Sequence, residues 1–262
     1  MEISIVIVNF NTAKLIRECI NSISKYPPRV SYEIIVVDNG SDEKLEIRDK
    51  NIKIINNKEN LGFARANNQG IKVAKGSYIL LLNSDTEVKK GSIDALLDFA
   101  RKNKEAGVVV PKLLNSDGSV QGSAFRFPGI WLAVREYWLG EKGLFNKYIP
   151  GKGPVDVAVM AGFLITPQVL NKVGLLDERY FFFFEDFDYC KRIKEAGFTI
   201  YYLPEAEVVH HHGASGEKIA TWDNQWRRLI PGSKLYHGPL MHYLIFFVMW
   251  TSQKWKRLLN QN

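Results

Sequence analysis

The chain has 262 residues, 46% of them hydrophobic and 24% charged, which suits one large globular domain with an appendage and excludes a disordered chain. Cys19 and Cys190 are the only cysteines, too few for a disulfide framework or a cysteine metal cluster, so a reducing compartment and two core thiols are expected. The net charge of +7 is uneven, because residues 215–262 hold seven Lys and Arg against two acids, a local charge of +5.

The opening MEISIVIVNFN has no basic leader ahead of a long apolar core, so no secretory signal is expected and the cytoplasm is the expected location. Near-continuously apolar runs follow at ISIVIVN (3–9), EIIVVD (33–38), IKIIN (52–56), YILLLN (78–83) and GVVVP (107–111). Such runs read as strands covered on both faces. Between the first two, Leu15, Ile16, Cys19, Ile20 and Ile23 recur at helical spacing, with Thr12 or Asn11 placed to cap the helix. The alternation predicts an α/β fold with a mostly parallel central sheet flanked by helices. Composition shifts near residue 215, where a helical extension, 216–262, is expected to follow a catalytic domain, 1–215.

In a sheet of this kind ligands gather outside the carboxyl ends of the strands. Three ends are polar: Asn9 and Asn11 after the first strand, Asp38-Asn39-Gly40-Ser41 after the second, and Asn83-Ser84-Asp85 after the fourth. These residue types also make ordinary turns. Three converging ends favour a site. Neither G-x-G-x-x-G after the first strand nor G-x-x-x-x-G-K-[ST] anywhere supplies a phosphate cradle. A bound nucleotide diphosphate would then need another counter-charge, and Asp85 can offer an oxygen ligand to Mg2+ or Mn2+.

The ordered motifs ISIVIVNFN, VVDNGSD, NLGFARANNQGI, LLLNSDTE, AGFLIT and LDERYFFFFEDFDYCKR resemble family 2 glycosyltransferases of the GT-A fold, especially their rhamnosyltransferase-like branch. The resemblance covers about residues 3–215. It implies that Asp38 accepts a hydrogen bond from the donor's base, suited to the imide N–H of uracil or thymine, with Asn9 and Phe10 along the same base. Gly62, Arg65 and Ser84 would also lie near the nucleotide, though Arg65 reads equally as a solvated helix residue. The family's metal motif is D-x-D; Asn83 replaces its first acid here, leaving Asp85 alone. A histidine before Gly and Ser would be a second metal ligand, with His210 favoured over His212 by spacing to Ser215.

The resemblance makes Asp186, in the Glu185-Asp186 pair, the general base, with Asn83 and Gly162 in the donor or acceptor pocket. Acids at a helix start also favour the helix dipole, and Gly162 also reads as a bulge or bend glycine. The implied reaction is an inverting transfer of a sugar, rhamnose from dTDP-rhamnose first and a UDP- or GDP-sugar as the alternative. Its acceptor would be a hydroxyl of a glycan or lipid-linked molecule in surface polysaccharide synthesis. The apolar run LMHYLIFFVMW (240–250) with Lys254, Lys256 and Arg257 suggests a helix lying on the inner membrane face. Packing on the catalytic domain or homo-oligomer formation is the other reading of that run. Charge confined to so apolar a tail argues against nucleic acid. A nucleotidyltransferase and a non-catalytic nucleotide-sugar module are the competing classes.

Overall fold

The computed structural model describes residues 1–43, 45, 47, 49, 51–211 and 225–259. In chain order its elements are β1 (Ile3–Asn9), α1 (Ala13–Lys25), β2 (Tyr32–Asp38), β3 (Ile52–Asn56), α2 (Phe63–Val73), β4 (Tyr78–Asn83), β5 (Thr86–Val88), α3 (Ser92–Lys102) and β6 (Ala106–Leu114). There follow β7 (Ala124–Phe125), α4 (Ile130–Tyr137), β8 (Gly153–Val155), β9 (Val157–Ala158), β10 (Gly162–Ile165), α5 (Pro167–Lys172), α6 (Glu185–Glu195), β11 (Thr199–His210), α7 (Gln225–His237) and α8 (Pro239–Leu259).

Alternation along β1 shows why the sheet is buried on two faces. Ile3, Ile5 and Ile7 pack with Ile16, Ile20 and Ile23 of α1 and Leu96 and Leu97 of α3, while Val6 packs toward Ala64 and Ala66 of α2. Tyr189, Cys190 and Ile193 of α6 extend this second layer. Both cysteines are buried free thiols.

The sheet runs β3-β2-β1-β4-β10-β6-β11-β5, with β8 beside β11. Strands β1 to β4 are mutually parallel, β10 is antiparallel to both neighbours, and β6 is parallel to β11. This is the expected mostly parallel GT-A-type arrangement. Two expectations need correction. Strand β3 forms the sheet edge and is only half-buried, so it is not covered on both faces. Thr12 occupies the cap position of α1 without a capping bond, because its hydroxyl instead meets Asn9 Oδ1 at 2.7 Å and Ser84 Oγ at 2.8 Å.

The expected boundary near residue 215 falls outside the described residues, as do His212 and Ser215. Beyond it, the apolar run belongs to the 21-residue helix α8. That helix packs on α4, where Trp138 Nε1 donates to Val248 O at 3.2 Å. No helix among the described residues is long and apolar enough to cross a membrane.

Candidate active site

Register brings the polar strand ends together. Asn9 pairs with Asp38, and Val8 with Asn83, so the mouths of β2, β1 and β4 adjoin. Hydrogen bonds then fasten the loops. Asn9 donates to Ser41 Oγ at 3.1 Å, and Asp38 Oδ1 accepts from Ser41 N at 3.0 Å. Asn39 Oδ1 accepts from Asn57 Nδ2 and Leu61 N, both at 3.0 Å, tying this mouth to the Asn60–Phe63 loop. Asn9, Asp38 and Ser84 are buried, while Phe10 is half-buried. Gly62 stands at a φ of +89°, and a Cβ there would lie 2.6 Å from Phe181 O. Only glycine allows that approach. Phe63 N donates to the same carbonyl, so the nucleotide-side loop is stitched to the aromatic run.

Strand pairing also joins Asp85 to His210. Strand β11 ends on β5 with His210 opposite Thr86, and His211 N donates to Asp85 O at 2.9 Å. His210 Nδ1 lies 2.8 Å from Gln121 Oε1, an acceptor, so Nδ1 carries the proton in that bond. The other nitrogen, Nε2, faces Asp85 Oδ1 and Asn83 Nδ2, each at 3.4 Å. Both Asp85 and His210 are buried. Asp85 and His210 would together offer a divalent cation such as Mg2+ or Mn2+ one carboxylate and one imidazole. No group of three acidic, histidine or cysteine side chains suited to a metal occurs among the described residues. His211 is engaged elsewhere, with Nε2 2.7 Å from Glu87 and Nδ1 2.8 Å from Ser116.

The acid pair opens α6. Phe183 and Phe184 before it both have a φ of +72°, a strained region for bulky residues. That turn sets Glu185 and Asp186 at the wall of a cavity of about 620 Å³, which Asn83 also lines. Burial holds the Glu185 carboxyl well above the usual carboxylate range, and neighbouring Asp186 adds to the effect. Burial raises Asp186 too, opposed by the Phe187 N–H, which donates to Asp186 Oδ1 at 2.9 Å, and by the Lys147 ammonium. Glu185 Oε2 is buried with no hydrogen-bond partner among the described residues. The Asp186 carboxylate, its proton affinity raised by burial, can accept a proton from a hydroxyl brought into the cavity.

Residues 4–166, more than half of the chain, match the model of glycosyl transferase family 2. The chain belongs to this family. It is 30% identical over 206 residues to an N-acetylglucosaminyl-diphospho-decaprenol L-rhamnosyltransferase of Mycobacterium tuberculosis, covering 70% of this chain and 67% of that relative. In fold it is similar to S. aureus TarS 1–349, with a TM-score of 0.64 at 15% identity over 98% of this chain and 92% of that one. GalNAc-T7 solved with UDP, GalNAc and Mn2+ aligns with a TM-score of 0.61 at 20% identity, over 80% of this chain and 43% of that one.

Within this glycosyltransferase two named residues stand apart from the cluster. Arg65 is exposed and lies 3.6 Å from Glu178, the placement of a solvated helix residue. Gly162 sits inside β10, where a Cβ would come within 2.9 Å of Pro111 Cγ, so sheet packing accounts for it. Gln121, Lys147, His237 and His242 are the residues that sequence reasoning missed. Gln121 lies in a polar turn and Lys147 in a loop, with no motif to mark either. The two histidines flank the α7–α8 junction and line the cavity.

Proposed function

We propose that the protein is an inverting transferase moving a sugar from a nucleotide diphosphate donor to an acceptor hydroxyl. The observation that carries this reading is the shared cavity: Asn83, at the mouth where Asp85 and His210 meet, and Asp186 line the same space. Asp186 accepts the acceptor's proton as its oxygen attacks the anomeric carbon. Asp38 and the β1 mouth, with Asn9 and Phe10, hold the base and ribose side of the donor.

Asp85 and His210 would hold a Mg2+ or Mn2+, which when bound neutralises charge on the departing diphosphate. Gln121 keeps His210 Nε2 directed at that point. The Mn2+ in GalNAc-T7 supports this cation class. Rhamnose from dTDP-rhamnose is the favoured donor, on the likeness to the rhamnosyltransferase, and the product would enter surface polysaccharide. The extension after residue 215 would hold the enzyme at the inner membrane face through the exposed apolar side of α8 and its Lys254, Lys256 and Arg257.

A thermal-shift panel of thymidine, uridine, guanosine and cytidine diphosphates, each with and without Mn2+, tests the donor half. A pyrimidine nucleotide is expected to stabilise wild type in the presence of metal and to lose that effect in Asp85→Ala. A shift indifferent to metal and to Asp85 would remove the metal assignment. No shift with any nucleotide would remove the donor reading.

A further inference from the structure

The acid pair follows a turn that needs support from outside. Phe183 and Phe184 stand at a φ of +72°, where bulky residues persist only if their surroundings hold them. One brace is α7, since a Cβ on Gly232 would lie 2.9 Å from Phe183 O. The other comes from the nucleotide side. Phe181 O accepts from Phe63 N at 2.9 Å, and Gly62 lies so close that a Cβ would come within 2.6 Å of the same oxygen. Two asparagines fix that loop. Asn39 is buried, and besides the two bonds that its Oδ1 accepts, its Nδ2 donates to Asn60 Oδ1 at 2.9 Å and to Gly62 O at 3.3 Å. Asn60 Oδ1 accepts a second time, from Gly62 N at 2.9 Å. Asn39 N donates to Asn9 O at 2.7 Å, so the β1 mouth holds Asn39 itself. A continuous chain of bonds therefore runs from the strand mouths through Asn39, Asn60 and Gly62 to Phe181 and the turn that opens α6, where Asp188 N donates to Phe184 O at 2.9 Å.

We infer that Asn39 and Asn60 are positioning residues for the transfer: through Gly62 and the Phe63–Phe181 bond they set where the Asp186 carboxyl stands, and so tie the donor mouth to the base. The inference rests on the transfer reading above for the role of Asp186. Neither asparagine has to touch a substrate. The Asn39 amide accepts two bonds and donates two, all within the 57–62 segment, which fills both its donors and leaves it the part of a clamp. A side chain that only filled space would not need that fork of donors and acceptors. Phe63 lines the cavity together with Phe182, Phe183 and Phe184, so a shift of the loop moves the cavity wall as well as the turn. A displacement of about 1 Å at a reacting group is enough to lower turnover about 10²-fold.

The test compares Asn60→Ala with Asn60→Asp in the full chain. Asn60 is half-buried in a loop, and aspartate keeps the oxygen that accepts from Asn39 and Gly62 whereas alanine removes it. In ligand-free protein, hydrogen–deuterium exchange over residues 181–188 is expected to quicken about tenfold in Asn60→Ala and to keep the wild-type rate in Asn60→Asp, with α3 unchanged in both. In turnover of dTDP-rhamnose, or of the UDP-sugar that wild type consumes, Asn60→Ala should lower kcat about 10- to 100-fold while its affinity for UDP and dTDP changes by about twofold or less. Its pH–rate limb should also move to lower pH, because a loosened turn admits water to Asp186 and relieves the burial that raises its pKa. Glu185, Lys147, His237 and His242 line the same cavity and are the same in both variants. Gly62→Ala should reproduce the Asn60→Ala signature from the other side of the Phe181 contact. Unchanged exchange over 181–188, Asn60→Asp as impaired as Asn60→Ala, or equal loss of kcat and nucleotide affinity would overturn the proposal. The exchange arm uses no substrate. Absence of any nucleotide response or transfer in wild type would sink the transfer reading, while the exchange rates still decide whether the asparagines hold the turn.

Discussion

At Asp186 and Glu185 two influences oppose each other. The first turn of α6 favours negative charge, but the apolar cavity disfavours it, and burial dominates at both carboxyls. Transfer should therefore rise with pH as Asp186 loses its proton, along a limb centred above the ordinary value of about 3.9. A pH–rate profile centred at or below that value would contradict the assignment. Stability should run the other way. Between the unfolded pKa of glutamate, about 4.3, and the raised native one, the folded state holds more protons, so stability falls as pH rises. Glu185→Gln removes this penalty, and its melting temperature is expected to exceed that of wild type by a margin that widens from pH 5 to pH 8. A constant margin would show that Glu185 is not held protonated. Gln121 acts on the other half of the site through one bond to His210 Nδ1. Gln121→Leu is expected to weaken Mn2+ binding about 10- to 100-fold while leaving Asp85 in place, read from the metal dependence of the thermal shift; unchanged affinity would make Gln121 a packing residue only.

Among the elements, α7 is the one whose placement decides the shape of the cavity. At Gly232 the helix meets the strained aromatic turn so closely that a Cβ would lie 2.9 Å from Phe183 O and 3.0 Å from Phe184 Cδ2. Gly232→Val should therefore cost about 1–3 kcal/mol through overpacking, a fall of roughly 2–10 °C in melting temperature. It should impair acceptor use more than nucleotide binding, and an equal loss of both would contradict the separation of roles. Legibility follows the same division between local and distant contacts. Strands β1, β2 and β4 are readable because Val, Ile and Leu run unbroken to an abrupt polar end. Asp38, Asp85 and Asp186 stand out because each follows such a run or an aromatic one. Strand β10, inserted antiparallel between β4 and β6, carries no local sign of its direction. Thr12 has the look of a cap, yet a contact with Ser84, 72 positions away, claims its hydroxyl. Lys147, Gln121 and Gly232 have meaning only once distant segments meet, so no local pattern marks them.

Over the whole molecule the exposed apolar groups concentrate on two packed helices and their flanks. Trp131 and Trp138 with Leu139 lie on and after α4, and Leu240, Phe247, Trp250 and Trp255 lie on α8. With Lys254, Lys256 and Arg257 close by, this face suits an anionic bilayer surface. Full-length protein is expected to float with anionic liposomes, and Phe247→Lys with Trp250→Lys to abolish flotation without changing nucleotide binding. Equal flotation of the variant would assign the face to another partner. The central claim is that the cavity lined by Asn83 and Asp186 transfers a sugar to an acceptor hydroxyl. The most direct measurement follows turnover of dTDP-rhamnose, beside UDP- and GDP-sugars, with a lipid-linked acceptor in wild type and Asp186→Asn. The account expects one donor to be consumed with inversion at the anomeric carbon, and the variant to bind that donor normally while transfer falls about 10²- to 10⁴-fold. Unaltered transfer by Asp186→Asn, or a product of retained configuration, would contradict it.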